Sequence, residues 1–169
     1  MKLKLDLQTH CFESMGYAKP TVETVGKIVN MVKARGLDGI AITEHGKNDY
    51  GFKAKEIADH YFPHEIILIP GQEVMTSDGQ EVVELFLPNG AIFKFLSHPE
   101  SPFRLYGDLG GIEIDNLMHN QYINKKAVQV AAEKYGLLLL RNSDAHILSH
   151  IGTFYNELTL EELMFYAKA

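Results

Sequence analysis

Gly39-Ile40-Ala41-Ile42-Thr43-Glu44-His45 decides the reading of this chain: a short apolar run that stops on a carboxylate and an imidazole. Such a run, opened by glycine and rich in β-branched residues, reads as a strand buried on both faces, the kind found in parallel sheets. Upstream, residues 3–9 (LKLDLQT) alternate and read as a first strand. Between the two, Val22, Val25, Ile28, Val29 and Val32 recur at helical spacing. Thr21 can cap that helix and Gly36 can end it, so it is predicted over 21–35. Downstream, 51–61 reads as a helix and 66–69 as a strand stopped by Pro70-Gly71. Strands follow at 82–87 and 91–96 around the turn Pro88-Asn89-Gly90, and a short one at 112–114. A helix is predicted over 120–135, ended by Gly136, then a strand over 137–140. Thr159 opens a last helix, with Glu161 and Glu162 well placed near its positive end. Alternating strands and helices predict an α/β fold with a largely parallel sheet.

The chain has 169 residues with no linker or repeat, enough for one domain spanning 1–169. Its formal charge is −6 and it shows no basic stripe, so tight binding to duplex nucleic acid is not expected. Its single cysteine, Cys11, allows no intrachain disulfide. No apolar run long enough for a signal peptide follows the basic start, and the longest aliphatic run, Leu137 to Leu140, is far too short to span a bilayer. A cytoplasmic location without membrane association is the expectation. Oligomeric state is not legible.

The predicted strands share one property: most end in residues that bind metals. The first leads into Asp6, Gln8 and His10, and the second into Glu44 and His45. The third leads into Glu73, the fifth into Ser97-His98-Pro99, the sixth carries Glu113, and the last runs into Ser143-Asp144-Ala145-His146. In parallel α/β folds the functional edge lies at the carboxyl ends of the strands, so these side chains converge on one rim. Residues two apart on a strand point the same way, so Asp6, Gln8 and His10 are expected on one side, as are Asp144 and His146. Mixed imidazole and carboxylate suits Zn, Mn or Fe better than Ca or Mg. Taken singly, each residue has a plainer reading as a cap or surface group. His60, His64 and His119 read that way. His150 and Tyr106 are candidates for the pocket edge, and a lone cysteine such as Cys11 usually packs as a small apolar group.

Taken in order, these motifs resemble the polymerase and histidinol phosphatase (PHP) superfamily over nearly the whole chain. Asp6-Leu7-Gln8-Thr9-His10 resembles its opening Asp-Leu-His-x-His, and Ile42-Thr43-Glu44-His45 its Thr-Asp/Glu-His motif. Glu73 matches the glutamate of Gly-x-Glu, His98-Pro99 the His-Pro motif, Ile112 to Asn116 an Ile-Glu-x-x-Asn motif, and Ser143 to His146 the closing Ser-Asp-Ala-His. The resemblance implies a distorted (β/α)7 TIM-like barrel holding one to three divalent ions of Zn, Mn or Fe and acting on phosphate esters. It implies Glu73 as a bridge between two ions, His10 and Asp144 (with Gln8 in the opening motif) at the first, His98 and Glu113 at the second, and His45 and His146 at a third. Two positions depart from the pattern. Gln8 stands where the family has histidine, and Met15 stands where an Asp or His usually serves the third ion, with Glu13 and Cys11 nearby as alternatives.

The function these residues imply is hydrolysis of a small phosphorylated or nucleotide-type substrate by a metal-activated water, with Glu73, His45 and His146 in the reacting set. Lys47, Arg104 and Arg141 fall near the expected rim as phosphate-binding cations, Arg104 first among them. Two alternatives belong to other classes: metal-dependent hydrolysis of a C–N bond, and a degenerate domain that binds a metal or ligand without catalysis, for which Gln8 and the Met15 stretch speak. Trimming of a single-stranded nucleic-acid end is a further one.

Overall fold

The computed structural model describes residues 1–168. Eight strands form one sheet in the order β7-β6-β5-β4-β3-β2-β1-β8, curled into a nearly closed barrel. They are β1 (Leu3–Thr9), β2 (Gly39–His45), β3 (Ile67–Met75), β4 (Glu81–Phe86), β5 (Ile92–Leu96), β6 (Gly111–Asn116), β7 (Leu138–Asn142) and β8 (Asn156–Leu158). The helices are α1 (Cys11–Ser14), α2 (Val22–Ala34), α3 (Asp49–Tyr61), α4 (Lys125–Tyr135) and α5 (Leu160–Tyr166). The distorted seven-stranded α/β barrel expected from the motifs is the observed architecture, with β8 as a short addition. None of these helices is long and apolar enough to cross a membrane among the described residues.

The distortion has a definite location. β1, β2 and β3 are parallel, as are β5, β6 and β7, but β4 runs antiparallel to both of its neighbours. Helices α2, α3 and α4 fill the crossovers β1–β2, β2–β3 and β6–β7, while tight turns join β3, β4 and β5. One apolar layer fills the barrel with Leu5, Leu7, Ile69, Val83, Leu85, Phe93, Phe95 and Leu140. A second lies under α2 and α3, and a third under α4. The stripe read on α2 is that second layer: Val25, Ile28, Val29 and Val32 are fully buried. Thr21 caps α2 in a reciprocal box with Thr24, and Thr159 caps α5 with Glu162.

The barrel closes along a seam between β1 and β7. Near the rim the two meet at a parallel bridge, Thr9 to Ala145, with His10 N donating to Ala145 O at 2.8 Å. Lower down, side-chain amides replace the ladder. Asn142 Oδ1 accepts from Leu7 N at 3.0 Å, and Asn156 Nδ2 donates to Arg141 O at 2.9 Å and Leu5 O at 3.2 Å. β8 pairs antiparallel to β1 at the foot of this seam.

Three sequence expectations are corrected. Pro70-Gly71 does not stop β3, which continues to Met75. The ladder to β4 begins only at Gly71, so Pro70 has no pairing to interrupt on that side. Gly71 is required by close approach: a Cβ there would lie 2.7 Å from Glu84 O and 3.0 Å from Thr43 Cγ2. Gly71→Ala is therefore expected to lower stability by about 1–3 kcal/mol, read as a shift of the urea midpoint. The helix predicted over 120–135 begins at Lys125, capped by Asn124, after a separate 3₁₀ turn at Asn120–Tyr122. The expectation that Asp6 shares a face with Gln8 and His10 also fails. Asp6 pairs with Ile40 and Thr9 with Ile42, both on the helix-covered face, so a bulge between them reverses the alternation. Asp6 is left outside the barrel, accepting from Ser143 N and Gly152 N, while Gln8 and His10 turn inward.

Candidate metal centre

The rim gathers side chains from every part of the barrel. His10 Nε2, just after β1, lies 2.9 Å from Asp144 Oδ1, just after β7, and 3.4 Å from Glu73 Oε2 on β3. His45 Nδ1, ending β2, is 3.3 Å from Glu73 Oε2, and His98 Nε2, after β5, is 3.3 Å from Glu73 Oε1. His10 stacks between His45 and His146, with ring centroids 4.3 and 4.2 Å away. Glu73 therefore stands in the middle, one oxygen toward His10 and His45 and the other toward His98.

Hydrogen bonding leaves this centre incomplete. His10 Nδ1 and Nε2, Glu73 Oε2 and Asp144 Oδ1 are all buried without a hydrogen-bond partner. Buried polar atoms are ordinarily satisfied, so nitrogen and oxygen atoms that face one another without hydrogen-bond geometry are arranged as a set able to take another partner. The ligand atoms of His10, Glu73 and Asp144 lie within 4.8 Å of one another, as do those of His98, His119 and Asp144, and those of His10, Glu13, His45 and His146. Imidazole and carboxylate at these spacings fit divalent metal.

Local backbone geometry serves this convergence. His98 and Asp144 adopt φ of 27° and 52°, a region that side chains other than glycine rarely occupy and that is concentrated at functional sites. His98 N then donates to Glu113 Oε2 at 2.7 Å. His146 Nδ1 bonds to Asp144 O at 2.7 Å; donation to that carbonyl leaves Nε2 as the free nitrogen.

The charges are strongly coupled. Burial disfavours a charge on His10, but Asp144 and Glu73 outweigh it and hold the imidazole's pKa up at about 10. Burial likewise opposes charge on His98, and Glu73, Glu81 and Glu113 raise it to about 11. Against its own burial, Glu73 is held well below the usual carboxylate range by His10 and His98, and Asp144 is lowered by His10. Burial pushes Glu113 up to about 8 and Glu44 up to about 7.

The residues singled out in the sequence divide into groups. His10, His45, Glu73, His98, Asp144 and His146 meet at the rim. Gln8 reaches it as a donor: its Nε2 gives a 2.7 Å bond to Glu73 Oε1, and its Oε1 accepts from Ser97 Oγ at 3.1 Å. Glu113 lies beneath, fully buried, its oxygens accepting from His98 N, Asn116 and Asn142. Glu113 thus orients the His98 turn. Lys47 Nζ sits 5.9 Å over the Phe12 ring, beside the rim. Arg104 is mostly exposed, with Nε 3.9 Å from Asp78 Oδ2. Arg141 is not at the rim: it pairs with Asp115 on the outer face, where β7's alternation sends it. His150 ends a 3₁₀ turn behind the seam, and the Tyr106 hydroxyl bonds to Asp78 Oδ1 at 2.6 Å.

Three rim residues were not assigned by the sequence reading. His119, read as an ordinary loop residue, has Nε2 3.6 Å from Asp144 Oδ2 and its ring 4.1 Å from that of His98. The signal was Asn116, whose Oδ1 accepts from Met118 N and His119 N and so bends the chain back. Glu13, left as an alternative to Met15, reaches 3.7 Å from His45 Nε2 and 3.8 Å from His146 Nε2. Met15 instead packs against the apolar layer under α2, and Cys11 is buried within that layer. The third is Glu81, whose Oε2 lies 2.9 Å from His98 Nε2.

Comparison with known proteins bears on the fold. Residues 122–164 match the PHP-associated family. An uncharacterized protein of Methanocaldococcus jannaschii is 34% identical over 94 residues, covering 56% of this chain and 52% of that protein, so the match spans about half of the relative. A protein from Bifidobacterium adolescentis assigned as a metal-dependent phosphoesterase superposes with a TM-score of 0.67 at 12% identity, over 98% of this chain and 96% of that one. An amidohydrolase from Chromobacterium violaceum, with bound sulfate and no metal, gives 0.65 at 12% identity, over 96% of each chain. PsfC from Pseudomonas syringae gives 0.65 at 14% identity, over 95% of this chain and 87% of that one. At these identities the structures share the barrel. The ordered motifs and the segment matched at residues 122–164 are similar to the PHP superfamily, and the solved structures share this fold.

Proposed function

We propose that this chain is a metal-dependent hydrolase that cleaves a small phosphate ester. The observation that carries the reading is the set of buried, unpaired atoms His10 Nε2, Glu73 Oε2 and Asp144 Oδ1, facing one another at the bottom of an open rim. Divalent ions held there would supply an activated water and neutralise charge on the phosphoryl oxygens. The chain's own groups do the rest. His45 and His146 are partly exposed at the mouth, where an imidazole that is not holding an ion can donate to a leaving oxygen. Glu13 lies between them and orients both rings.

Phosphate also calls for fixed cations. Lys47 lines a cavity of about 460 Å³ together with Lys19, Lys53, Phe12 and Tyr50. Its wall residues Phe12 and Glu44 directly precede Glu13 and His45, so the cavity adjoins the centre. Among the described residues neither Lys19 nor Lys47 has a carboxylate within 4.0 Å, which leaves both ammonium groups available. This favours Lys47 over Arg104 as the phosphate contact.

Hydrolysis of a C–N bond is the second reading, because the same centre would activate water against an amide and one protein of like fold is an amidohydrolase. The expected result is two or three equivalents of transition metal by ICP-MS, with hydrolysis of p-nitrophenyl phosphate that Mn²⁺ or Zn²⁺ restores after chelation. Metal with turnover of cyclic amides alone would transfer the assignment to C–N bonds. Metal with turnover of neither would leave a binding module.

A further inference from the structure

We infer that Glu81 is a direct ligand of a divalent ion, a carboxylate supplied to the centre by β4, a strand that runs against both of its neighbours. The inference rests on the metal-dependent reading above and adds a ligand to it.

Position 8 turns a donor, not a ligand atom, toward Glu73 in the observed arrangement. The Gln8 amide points its N–H at Glu73 Oε1, and its carbonyl oxygen lies 3.1 Å from Ser97 Oγ, whose single proton is shared with Glu73 Oε1 at 3.0 Å. A donor facing a donor-seeking carboxylate stabilises Glu73 but offers no lone pair to a cation. The centre is therefore one ligand short on that side.

β4 supplies the replacement. Because β4 is antiparallel to β3 and β5, its amino end, not its carboxyl end, lies at the rim. Glu81 is the first residue of that strand, and its carbonyl accepts from Ser97 N at 3.0 Å, which fixes it beside the His98 turn. Its Oε2 lies 2.9 Å from His98 Nε2, and Glu73 Oε1 lies 3.3 Å from the same nitrogen. Ligand atoms of Glu81, Glu73 and His45 also come within 4.8 Å of one another. Glu81 and His98 both line an adjoining cavity of about 320 Å³ with His119, which gives an ion or substrate access from that side. Exchanging a neutral side chain for a carboxylate also adds one negative charge and a hard oxygen to a set rich in imidazole.

The test compares wild type with Glu81→Gln and Glu84→Gln, each loaded with Zn²⁺, desalted and measured by ICP-MS and calorimetric titration. Glu84 is on the same strand but pairs with Lys94 away from the centre. Glu81→Gln is expected to lose one equivalent, or to bind one ion at least tenfold more weakly, while the other ions and Glu84→Gln stay as in wild type. Because a variant can fail to fold, wild-type crystals soaked in Zn²⁺ give a second readout: an ion about 2.0–2.2 Å from a Glu81 oxygen. Unchanged stoichiometry and affinity in Glu81→Gln, with no ion at Glu81 in the crystal, would overturn the inference and leave the hydrolase reading intact. A wild-type protein that binds no divalent ion would overturn both.

Discussion

Glu73→Ala is expected to strip two divalent ions together and to lower turnover about a thousandfold or more. Its two oxygens face opposite sides of the centre, Oε2 toward His10 and His45 and Oε1 toward His98. Losing the shared carboxylate removes several kcal/mol of charge stabilisation, and each 1.4 kcal/mol is a factor of ten in rate. The metal-free fold should also weaken by about 1–3 kcal/mol, because Gln8 Nε2 and Ser97 Oγ lose a buried acceptor. Glu73→Gln separates the two effects: it keeps the shape and an acceptor oxygen but lacks the anionic charge, so it should lose metal with less loss of stability. Metal counted by ICP-MS and stability read from urea midpoints in chelator check both arms. Loss of a single ion in Glu73→Ala would rule out a bridge.

Metal binding at pH 7 is expected to release about two protons and to strengthen about a hundredfold per pH unit between pH 7 and 9. In the metal-free fold His10 and His98 keep their protons, held up at about 10 and about 11 by Glu73, Asp144 and Glu81. A bound ion needs neutral imidazole, so it must displace those protons. Calorimetry in two buffers of different ionisation enthalpy measures the number directly; an enthalpy independent of buffer would refute the coupling. The same groups set the stability of the metal-free protein. A histidine raised by folding stabilises fully below its unfolded value near 6.5, and that contribution is lost as pH rises toward 10 and 11. Glu113, raised by burial to about 8, is protonated in the fold but ionised in the unfolded chain between about 4.5 and 8, so it too loses ground as pH rises. Glu73 and Asp144 are lowered and contribute above their unfolded values, and that part is lost in acid. Glu44 and Asp6, raised by burial to about 7 and about 6, add to the loss at rising pH, so without metal the protein should be most stable at about pH 4–5.

Apolar runs were the most legible part of the sequence. Ile40, Ala41 and Ile42 announce a strand whichever way its neighbours run, and the Val25–Val32 stripe announces a helix. What periodicity does not carry is direction and register. The rule that functional groups lie at the carboxyl ends of strands found His10, His45, Glu73, His98 and Asp144. It passed over Glu81 because it looks only at carboxyl ends, whereas the turn Pro88-Asn89-Gly90 sets β4 antiparallel to β5 and β4 presents its amino end to the rim. Alternation placed Asp6 beside Gln8 because a bulge has no signature in a run such as Leu5-Asp6-Leu7-Gln8. Arg141 looked like a rim cation by proximity in sequence, yet its neighbour Asn142 faces the barrel and Arg141 therefore faces out. Glu13 and Met15 differ by two positions, and only the short turn of α1 decides that the carboxylate, and not the thioether, approaches His45 and His146.

The amide-stitched junction of β1 with β7 makes the barrel a split ring. Few backbone bonds hold its lips together at the upper end, where Thr9 and Ala145 form an isolated bridge. His10 belongs to one lip and Asp144 to the other, and their side chains meet across the gap. An ion gripped by both would act as a clasp, resisting the local breathing that a slit cylinder otherwise invites. Occupancy and rigidity would then rise together, so the loaded molecule is also the one whose reacting groups are held still.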